Sequence, residues 1–429
     1  MAATTKNRAV VRGLGGLLLA TALGAPAVAG QLNPSGDGSD YNNPDLTRDL
    51  TGACEDCLAV APRDVDEPLL DLDWSLGLRG GITQRGDTTT YEVIALPSLT
   101  LKQQTIRGGY DFGADADLSY TDGETARINA LGVSAGGNYQ IDSVTNVAGR
   151  GTLSVSQDDP GSSSEYATNV AAAPVVVSGT GEASLTRDLG LFDLELRGSA
   201  ARTGYGETVY DDASTTDNSF QNTTSYGAGG RIGVKLTPGL TAFVDGEATA
   251  DRYDAASPSL LVKLDGTTYE ARTGLNFKLR ETLELEGSIG VAYRDFADAG
   301  LDDFTAVLYG AKAVFRPDET LSLTGELTTN VAAPGTTSGA SARVEYAATG
   351  EAAYRVNPWL RLRAKAGWSE AQLAAVDAEE LRWTAGMGVD YLLNEHTDLT
   401  ADYGFARSKI GADPETDEHS VTLGVTFHR

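Results

Sequence analysis

Alternation of apolar and polar side chains, segment after segment, is the feature that most constrains how this chain can fold. In LELEGSIGVAYRD (residues 283–295), Leu, Ile and Val occupy every second position, with Glu, Ser and Gly between them. A period of two is that of a β-strand with one apolar and one polar face. Roughly eighteen such runs follow one another from about residue 69 onwards. The fold must therefore cover an apolar surface on each of many strands.

The connections between these runs alternate in length. Tight turns such as KLTPGL (235–240) and RVNPWL (355–360) recur about every 40 residues, and longer polar loops such as 210–224 lie between them. Outer-membrane barrels have short periplasmic turns and long extracellular loops. The pattern predicts an all-β, transmembrane, antiparallel up-and-down β-barrel of about 18 strands. A count of 16 is the alternative, because 87–110 and 174–190 are ambiguous.

Aromatic residues favour a membrane barrel over a soluble β protein. One row lies near the short turns: Phe192, Phe277, Phe315, Tyr354, Trp359, Tyr391 and Phe427. A second row lies near the long loops: Tyr205, Tyr253, Tyr293, Trp368 and Tyr403. Two rows separated by one bilayer crossing are typical of interfacial girdles. A propeller or β-solenoid could also produce the repeat, but no motif recurs from unit to unit. Lipid would then cover the leucines of 283–295, and Glu284 and Glu286 would face an aqueous lumen.

The first 29 residues have the features of a signal peptide. Basic residues precede an apolar run at 13–24, and Ala27 and Ala29 form an A-x-A cleavage pattern. A membrane-anchoring helix is the alternative, but the apolar run is shorter than the roughly 20 residues that a span needs. We predict cleavage after Ala29 and export, which removes three basic residues and changes the net charge from −27 to −30 (30 basic minus 60 acidic residues).

Residues 30–68 are polar and acidic and show little periodicity, so we predict a flexible periplasmic segment before a barrel over 69–429. Both cysteines lie in this segment, as Cys54-Glu55-Asp56-Cys57. A disulfide is the first expectation in an oxidising compartment. A redox or metal role is the alternative, although neither a second Cys or His pair nor a thioredoxin-like pattern accompanies the motif.

Signals for catalysis are weak. A hydrolase site would need a Ser and a His on one face, whereas His419 and Ser420 are consecutive and should point to opposite faces. We predict a protein that is not an enzyme and that needs no cofactor or metal. EAQLAAVDAEEL (370–381) has a helical composition and falls in a predicted outer loop, so at most a short loop helix is expected there.

Charged residues on the inner face are the candidates for selectivity. Alternation predicts inward cations on strands 14–16 of the barrel: Arg343, Arg355, Arg361, Arg363, Lys365 and Arg382. It predicts inward acids on the third strand: Asp111, Asp115 and Asp117. Basic and acidic walls would set a transverse field across a pore, whereas cross-strand ion pairs that brace the wall are the alternative. Dense loop acids, as in KIGADPETDEH (409–419), predict an acidic mouth that favours cations.

The chain resembles the second putative β-barrel porin family of Gram-negative outer-membrane proteins over most of residues 69–429. NALGVSAGGNYQIDSVTNVAGRGTLSVSQDDPGS (129–162), TTSYGAGGRIGVKLTPGLTAFVDGEATADRYD (223–254) and GMGVDYLLNEHTDLTADYGFARSK (386–409) carry the resemblance. It implies an outer-membrane barrel with a pore and no catalytic residues. Barrels of this kind commonly end in an aromatic residue, whereas His428 and Arg429 follow the last one here, which bears on recognition by the insertion machinery.

The sequence therefore predicts an outer-membrane channel for passive diffusion of small hydrophilic solutes. An export channel for exopolysaccharide or another envelope polymer is one alternative, and it would need a track of inward aromatic residues. A non-conducting structural or adhesive barrel is another, in which residues 157–174 or 30–68 plug the lumen. The expected partners are outer-membrane lipid and lipopolysaccharide, the insertion machinery acting on the C-terminal strand, and the solute; nucleic acid is not expected.

Overall fold

Eighteen antiparallel strands form a closed barrel in the computed structural model, which describes residues 70–121, 126–157, 170–332, 343–373, 379–410 and 415–429. The barrel strands are β1 (Asp71–Arg85), β2 (Thr88–Thr105), β3 (Gly108–Thr121), β4 (Arg127–Asp142), β5 (Thr145–Gln157), β7 (Val175–Asp188), β8 (Phe192–Tyr205), β11 (Thr223–Thr237), β12 (Leu240–Tyr253), β13 (Gly266–Leu279), β14 (Leu283–Phe296), β15 (Phe304–Phe315), β16 (Leu321–Ala332), β17 (Arg343–Asn357), β18 (Leu360–Leu373), β19 (Glu379–Asn394), β20 (Thr397–Ile410) and β21 (Thr416–His428). A separate small sheet contains β6 (Val170–Ala172), β9 (Thr208–Tyr210) and β10 (Thr215–Thr216), and a 3-10 turn follows at Ser219–Gln221.

Pairing of the first and last strands closes the barrel. β1 pairs with β21 at eleven positions, from Ser75–His428 to Arg85–Glu418. Both ends of the barrel chain therefore lie on the side of the short turns. The predicted 18 strands are confirmed, and the two ambiguous regions contain the β2–β3 hairpin and β7. No helix in the described part of the chain is long and apolar enough to span a membrane.

The two faces of the wall differ in chemistry, as the alternation predicts. On β14, Ile289 and Val291 point outward and are 53% and 46% exposed, with no protein layer over them. Glu286 points inward, where it meets Asn276 and Arg231. Apolar side chains exposed around a closed barrel suit hydrocarbon, because pairing satisfies the backbone and lipid covers the side chains.

Backbone N–H groups of the short turns donate local hydrogen bonds to acidic side chains. In the β15–β16 turn, Asp318 accepts hydrogen bonds from the Thr320 hydroxyl (2.6 Å) and from the N–H groups of Thr320 (2.8 Å) and Leu321 (3.1 Å). These bonds hold the pKa of Asp318 below its ordinary value. Because the pKa is lower in the folded turn, this stabilisation is present above the ordinary pKa and is lost as the pH falls through the folded value.

One prediction made from a local pattern is wrong, and another falls on residues that the structure does not describe. Tyr205 and Tyr253, assigned to the outer aromatic row, pair with Val176 and Thr223 on the inward face, and Tyr253 is only 8% exposed. The short loop helix expected at most within 370–381 falls on residues 374–378, which lie outside the described residues; β18 continues to Leu373 and β19 begins at Glu379. The signal peptide, the 30–68 segment and the cysteine pair lie outside the described residues.

Candidate functional site: the charged inner wall

Arg363 faces inward at the centre of a carboxylate pair. Its Nε and Nη2 each donate to Asp390 at 2.7 Å, and Nη2 also donates to Asp402 at 2.9 Å. These partners come from β19 and β20, the next two strands around the barrel. Three bonds to two carboxylates hold the guanidinium against the wall, as expected for charge-assisted pairs. Arg363 is therefore a brace between strands, and its charge is neutralised locally.

Arg343 is neutralised in the same way near the long-loop end. Its Nη2 lies 2.7 Å from a Glu345 oxygen and 3.0 Å from a Glu380 oxygen. Only 12% of its side chain is exposed. Arg382 shares the inward face and lies opposite Ser369 and Ser408 in the strand register.

The other three predicted cations also face the lumen, but they are not bound to a carboxylate among the described residues. Arg355 and Arg361 lie directly opposite each other where β17 and β18 meet the short turn. Lys365 lies four residues beyond Arg361 on the same face of β18, opposite Glu351. Within the described residues, none of these three makes an ion pair. Together they form a net positive strip near the short-turn mouth, which we call the basic strip (Arg355, Arg361 and Lys365).

The predicted acids lie on another sector of the wall. Asp111 is opposite Lys102 and Gly136, and Asp115 is opposite Ser98 and Gly132. Asp117 accepts a hydrogen bond from the Asn129 amide at 3.1 Å. β3 is six strands from β18 in the 18-strand ring, which is a third of the circumference. The acids and the basic strip therefore lie on separate sectors and are not diametrically opposite.

Sequence reasoning missed a stack that crosses four strands. Arg231 on β11 reaches over two strands to Glu286 on β14, with both guanidinium nitrogens bonded at 3.0 and 3.1 Å. Its Cζ lies 3.4 Å from the centre of the Phe243 ring, a cation–π contact. Phe243 in turn lies on Gly274, where a Cβ would come within 2.5 Å of the ring. Glu284, the other predicted carboxylate of this strand, pairs with Lys278 at 3.1 Å.

A second missed group lies on β8 and β12. Arg197 donates to both oxygens of Asp245 at 2.9 Å and also lies 3.4 Å from Glu247. The sequence does contain a signal for this group: one strand has an inward Arg, and another has two inward acids two positions apart. The strand register that joins them is not visible in a local pattern.

The most buried charge of the described residues is Arg294 on β14, of which 1% is exposed. It donates to Asp251 at 2.8 Å, to the Thr268 hydroxyl at 3.0 Å and to the Leu264 carbonyl at 3.4 Å. Asp251 accepts a further bond from the Ser225 hydroxyl at 2.6 Å. The long-loop end of this wall is therefore packed like a protein interior.

Residues considered for catalysis are not brought together. His419 faces outward, where its Nδ1 lies 2.9 Å from the Tyr403 hydroxyl, and Ser420 faces inward. Among the described residues, no group of three or more His, Cys, Asp or Glu side chains is placed to hold a metal ion.

Comparison of the chain with known protein families agrees with a closed barrel that has a charged inner wall. The family model described as putative beta-barrel porin 2 matches residues 83–429, most of the chain. The chain belongs to this family. Porin membership together with the barrel supports an outer-membrane location and points to a transport channel rather than an enzyme. No curated protein is similar enough in sequence to match it.

Solved barrels resemble the chain at low identity. The Pseudomonas aeruginosa protein OccK5 (OpdH) is 13% identical, with a TM-score of 0.42 over 84% of this chain and 98% of its own. P. aeruginosa OpdK, solved with vanillate, is 10% identical, with a TM-score of 0.44 over 84% and 99%. The siderophore receptor PirA from Acinetobacter baumannii is 7% identical, with a TM-score of 0.46 over 84% and 80%.

Proposed function

We propose that this porin-family barrel is an outer-membrane channel for passive diffusion of small hydrophilic solutes. The observation that carries the proposal is the closed 18-strand wall, which is apolar outside and charged inside. Barrels of 16 to 18 strands are wide enough to leave an aqueous lumen. A lumen lined by carboxylates and guanidinium groups favours water and polar solutes over apolar ones.

The route to the membrane is part of the proposal. Residues 1–29 act as the signal peptide, cleaved after Ala29, and β21 presents the C-terminal strand to the insertion machinery of a Gram-negative cell. Outer-membrane lipid and lipopolysaccharide then surround the apolar face. The proposal includes a disulfide between Cys54 and Cys57, in the segment before the barrel, because exported proteins fold in an oxidising compartment.

We propose that inward charges without an ion pair among the described residues contribute most to selectivity. Arg363 and Arg343 are neutralised by carboxylates in contact, so the basic strip supplies the local positive potential near the short-turn end. Asp111, Asp115 and Asp117 supply a negative sector a third of the way round. The acidic loops add a negative field at the opposite mouth. The reversal potential of the channel under a salt gradient reports whether the positive or the negative field dominates.

Single-channel recording of the refolded mature protein (residues 30–429) in a planar bilayer under a salt gradient tests the proposal. Stable current steps of porin size support it. Silence from a barrel whose fold is verified by circular dichroism would reject it in favour of a plugged or structural barrel. The inward aromatics Phe243 and Tyr253 are only 4% and 8% exposed, so these two rings offer little surface to a polymer in the export alternative.

Charge removal in the basic strip should change ion selectivity. The variant Arg355→Gln, Arg361→Gln, Lys365→Gln is expected to move the reversal potential toward cation preference, because three unpaired positive charges leave the lumen. The shift should shrink as ionic strength rises, because salt screens exposed charges.

A matched control loses the same charge from the outer face. Arg187, Arg252 and Lys409 point outward in the strand register, so their replacement by Gln should change the reversal potential less. Equal shifts in the two triple variants would show that overall charge, and not the basic strip, governs selectivity.

A further inference from the structure

The barrel wall has a seam between β15 and β16. These strands pair at five positions only, from Ala311–Leu327 to Phe315–Leu323, all next to the short turn. By comparison, β14 and β15 pair at twelve positions. Both strands continue toward the long-loop end, to Phe304 and Ala332. Their backbone ladder therefore stops part-way up the wall.

Where the backbone ladder stops, hydrogen bonds that involve side chains connect the strands. The Tyr309 N–H donates to the Thr329 hydroxyl at 3.1 Å, in place of a backbone carbonyl. Arg272 on β13 extends across β14 and β15, and its Nη2 donates to the Thr329 carbonyl at 3.2 Å. Gly290 keeps this path open, since a Cβ there would lie 2.6 Å from Arg272 Cγ. Arg272 thus links β13 to β16 across the seam.

Beyond the seam, β16 and β17 lie on the lumen side of β14 and β15. Their mutual register is unbroken from Leu321–Tyr354 to Ala332–Arg343, so Val331 and Val344 share the side of the lipid-exposed Tyr354. Both are nevertheless buried, at 8% and 5% exposure, in a cluster with three inward-facing side chains of β14 and β15: Ala292, Ala306 and Leu308. The outward side chains of β16 and β17 can pack on the inward side chains of β14 and β15 only if β16 and β17 lie closer to the lumen.

The wall is therefore two layers thick at the long-loop end of this sector. Face-to-face sheets stand about 10 Å apart, so the inner layer takes a comparable width from the lumen. Its luminal side carries Arg343 and Glu345, which are paired with each other, and Glu380 of β19 completes the cluster. We call the long-loop ends of β16 (residues 328–332) and β17 (residues 343–347) the inner step.

We propose that the inner step is the constriction that sets the size limit of the channel, and that Arg272 and the Leu308 cluster hold it in place. The inference rests on the proposed diffusion function. The physical reason is that five backbone pairs anchor the step on its β15 side, so its position depends on the side-chain contacts across the seam. Weakening those contacts lets the step move and widens the accessible lumen.

Swelling of liposomes in uncharged sugars of increasing size tests the proposal without interference from pore charge. Arg272→Met removes the link to Thr329, and Leu308→Ala removes a side chain with 0% exposure from the cluster. Both variants should give a several-fold rise in the entry rate of a trisaccharide relative to a monosaccharide. Arg202→Met is the matched control, because it removes a cation bound to the Asp254 carboxylate on the outer face of β8, far from the seam, and should leave that ratio unchanged.

A disulfide across the cluster supplies the reverse test. In a background with Cys54→Ser and Cys57→Ser, Leu308→Cys with Val331→Cys joins the two layers. Oxidation should restore the wild-type sugar ratio to the Arg272→Met protein, and reduction should release it. The inference fails if wild type passes sugars but Arg272→Met and Leu308→Ala keep its size limit. If wild type itself passes neither sugar nor ion current, the diffusion function fails instead.

Discussion

Asp251→Asn is expected to lower the free energy of unfolding by about 3–5 kcal/mol, because it leaves the Arg294 guanidinium charged and buried without its carboxylate. Arg294 is 1% exposed and Asp251 15%. The amide keeps the size of the carboxylate, so the packing around Phe296, whose ring lies 5.2 Å from the guanidinium, is retained. Equilibrium unfolding in guanidinium chloride from lipid vesicles measures the change.

The exposed pair Arg202–Asp254 provides the control. Both side chains are nearly half exposed, at 46% and 44%, so Asp254→Asn should cost much less than Asp251→Asn. The double variant Asp251→Asn, Arg294→Met should recover part of the loss, because an apolar side chain tolerates the buried site once the charge is gone. An Asp251→Asn protein no less stable than Asp254→Asn would contradict the idea of an interior-like wall at this end of the barrel.

The architecture could be predicted because its determinants are local. A period of two, tight turns at regular spacing and polar loops between them specify strands, their order and the two faces of the wall. The same alternation of faces along a strand, which we call parity, placed Arg363 and Arg343 on the inward face. Parity does not say which residue of a neighbouring strand lies alongside, so the partners Asp390 and Glu380 were not foreseen.

Contacts that cross several strands were out of reach for the same reason. Arg231 meets Glu286 because the register across β11–β14 brings them to one level, and no single segment encodes that register. The inner step was hidden too. Val331 and Val344 have the parity of lipid-facing residues, and only the unpaired seam reveals that β14 and β15 cover them.

The wrong assignment of two aromatic residues came from applying a membrane rule beyond the bilayer. Tyr205 and Tyr253 lie near the long-loop ends of their strands on the inward face, away from the lipid interface, and Tyr253 is 8% exposed. The Ala- and Glu-rich residues 370–381 favour helix by intrinsic propensity. Pairing of β18 with β19, from Leu360–Tyr391 to Gln372–Glu379, overrides that preference in the described part of this stretch.

Leu99→Lys should lower the free energy of unfolding in lipid by about 2–4 kcal/mol. Leu99 points outward, is 40% exposed and lies between Trp74 and Ala114 in the register. A tilted strand crosses the bilayer in about 9–11 residues, and β2 ends at Thr105. Leu99 therefore lies close to the midplane, where an ammonium group is most costly.

The neighbouring residue is a control that differs in face alone. Thr100 points inward, opposite Asp73, so Thr100→Lys places the same charge in the lumen beside a carboxylate. Its expected effect is about 0–1 kcal/mol. Both variants have the same strand, depth and net charge, and the difference between their free energies of unfolding in vesicles isolates the contribution of lipid. Equal losses would mean that Leu99 does not face hydrocarbon, which would remove the basis for a membrane-spanning wall.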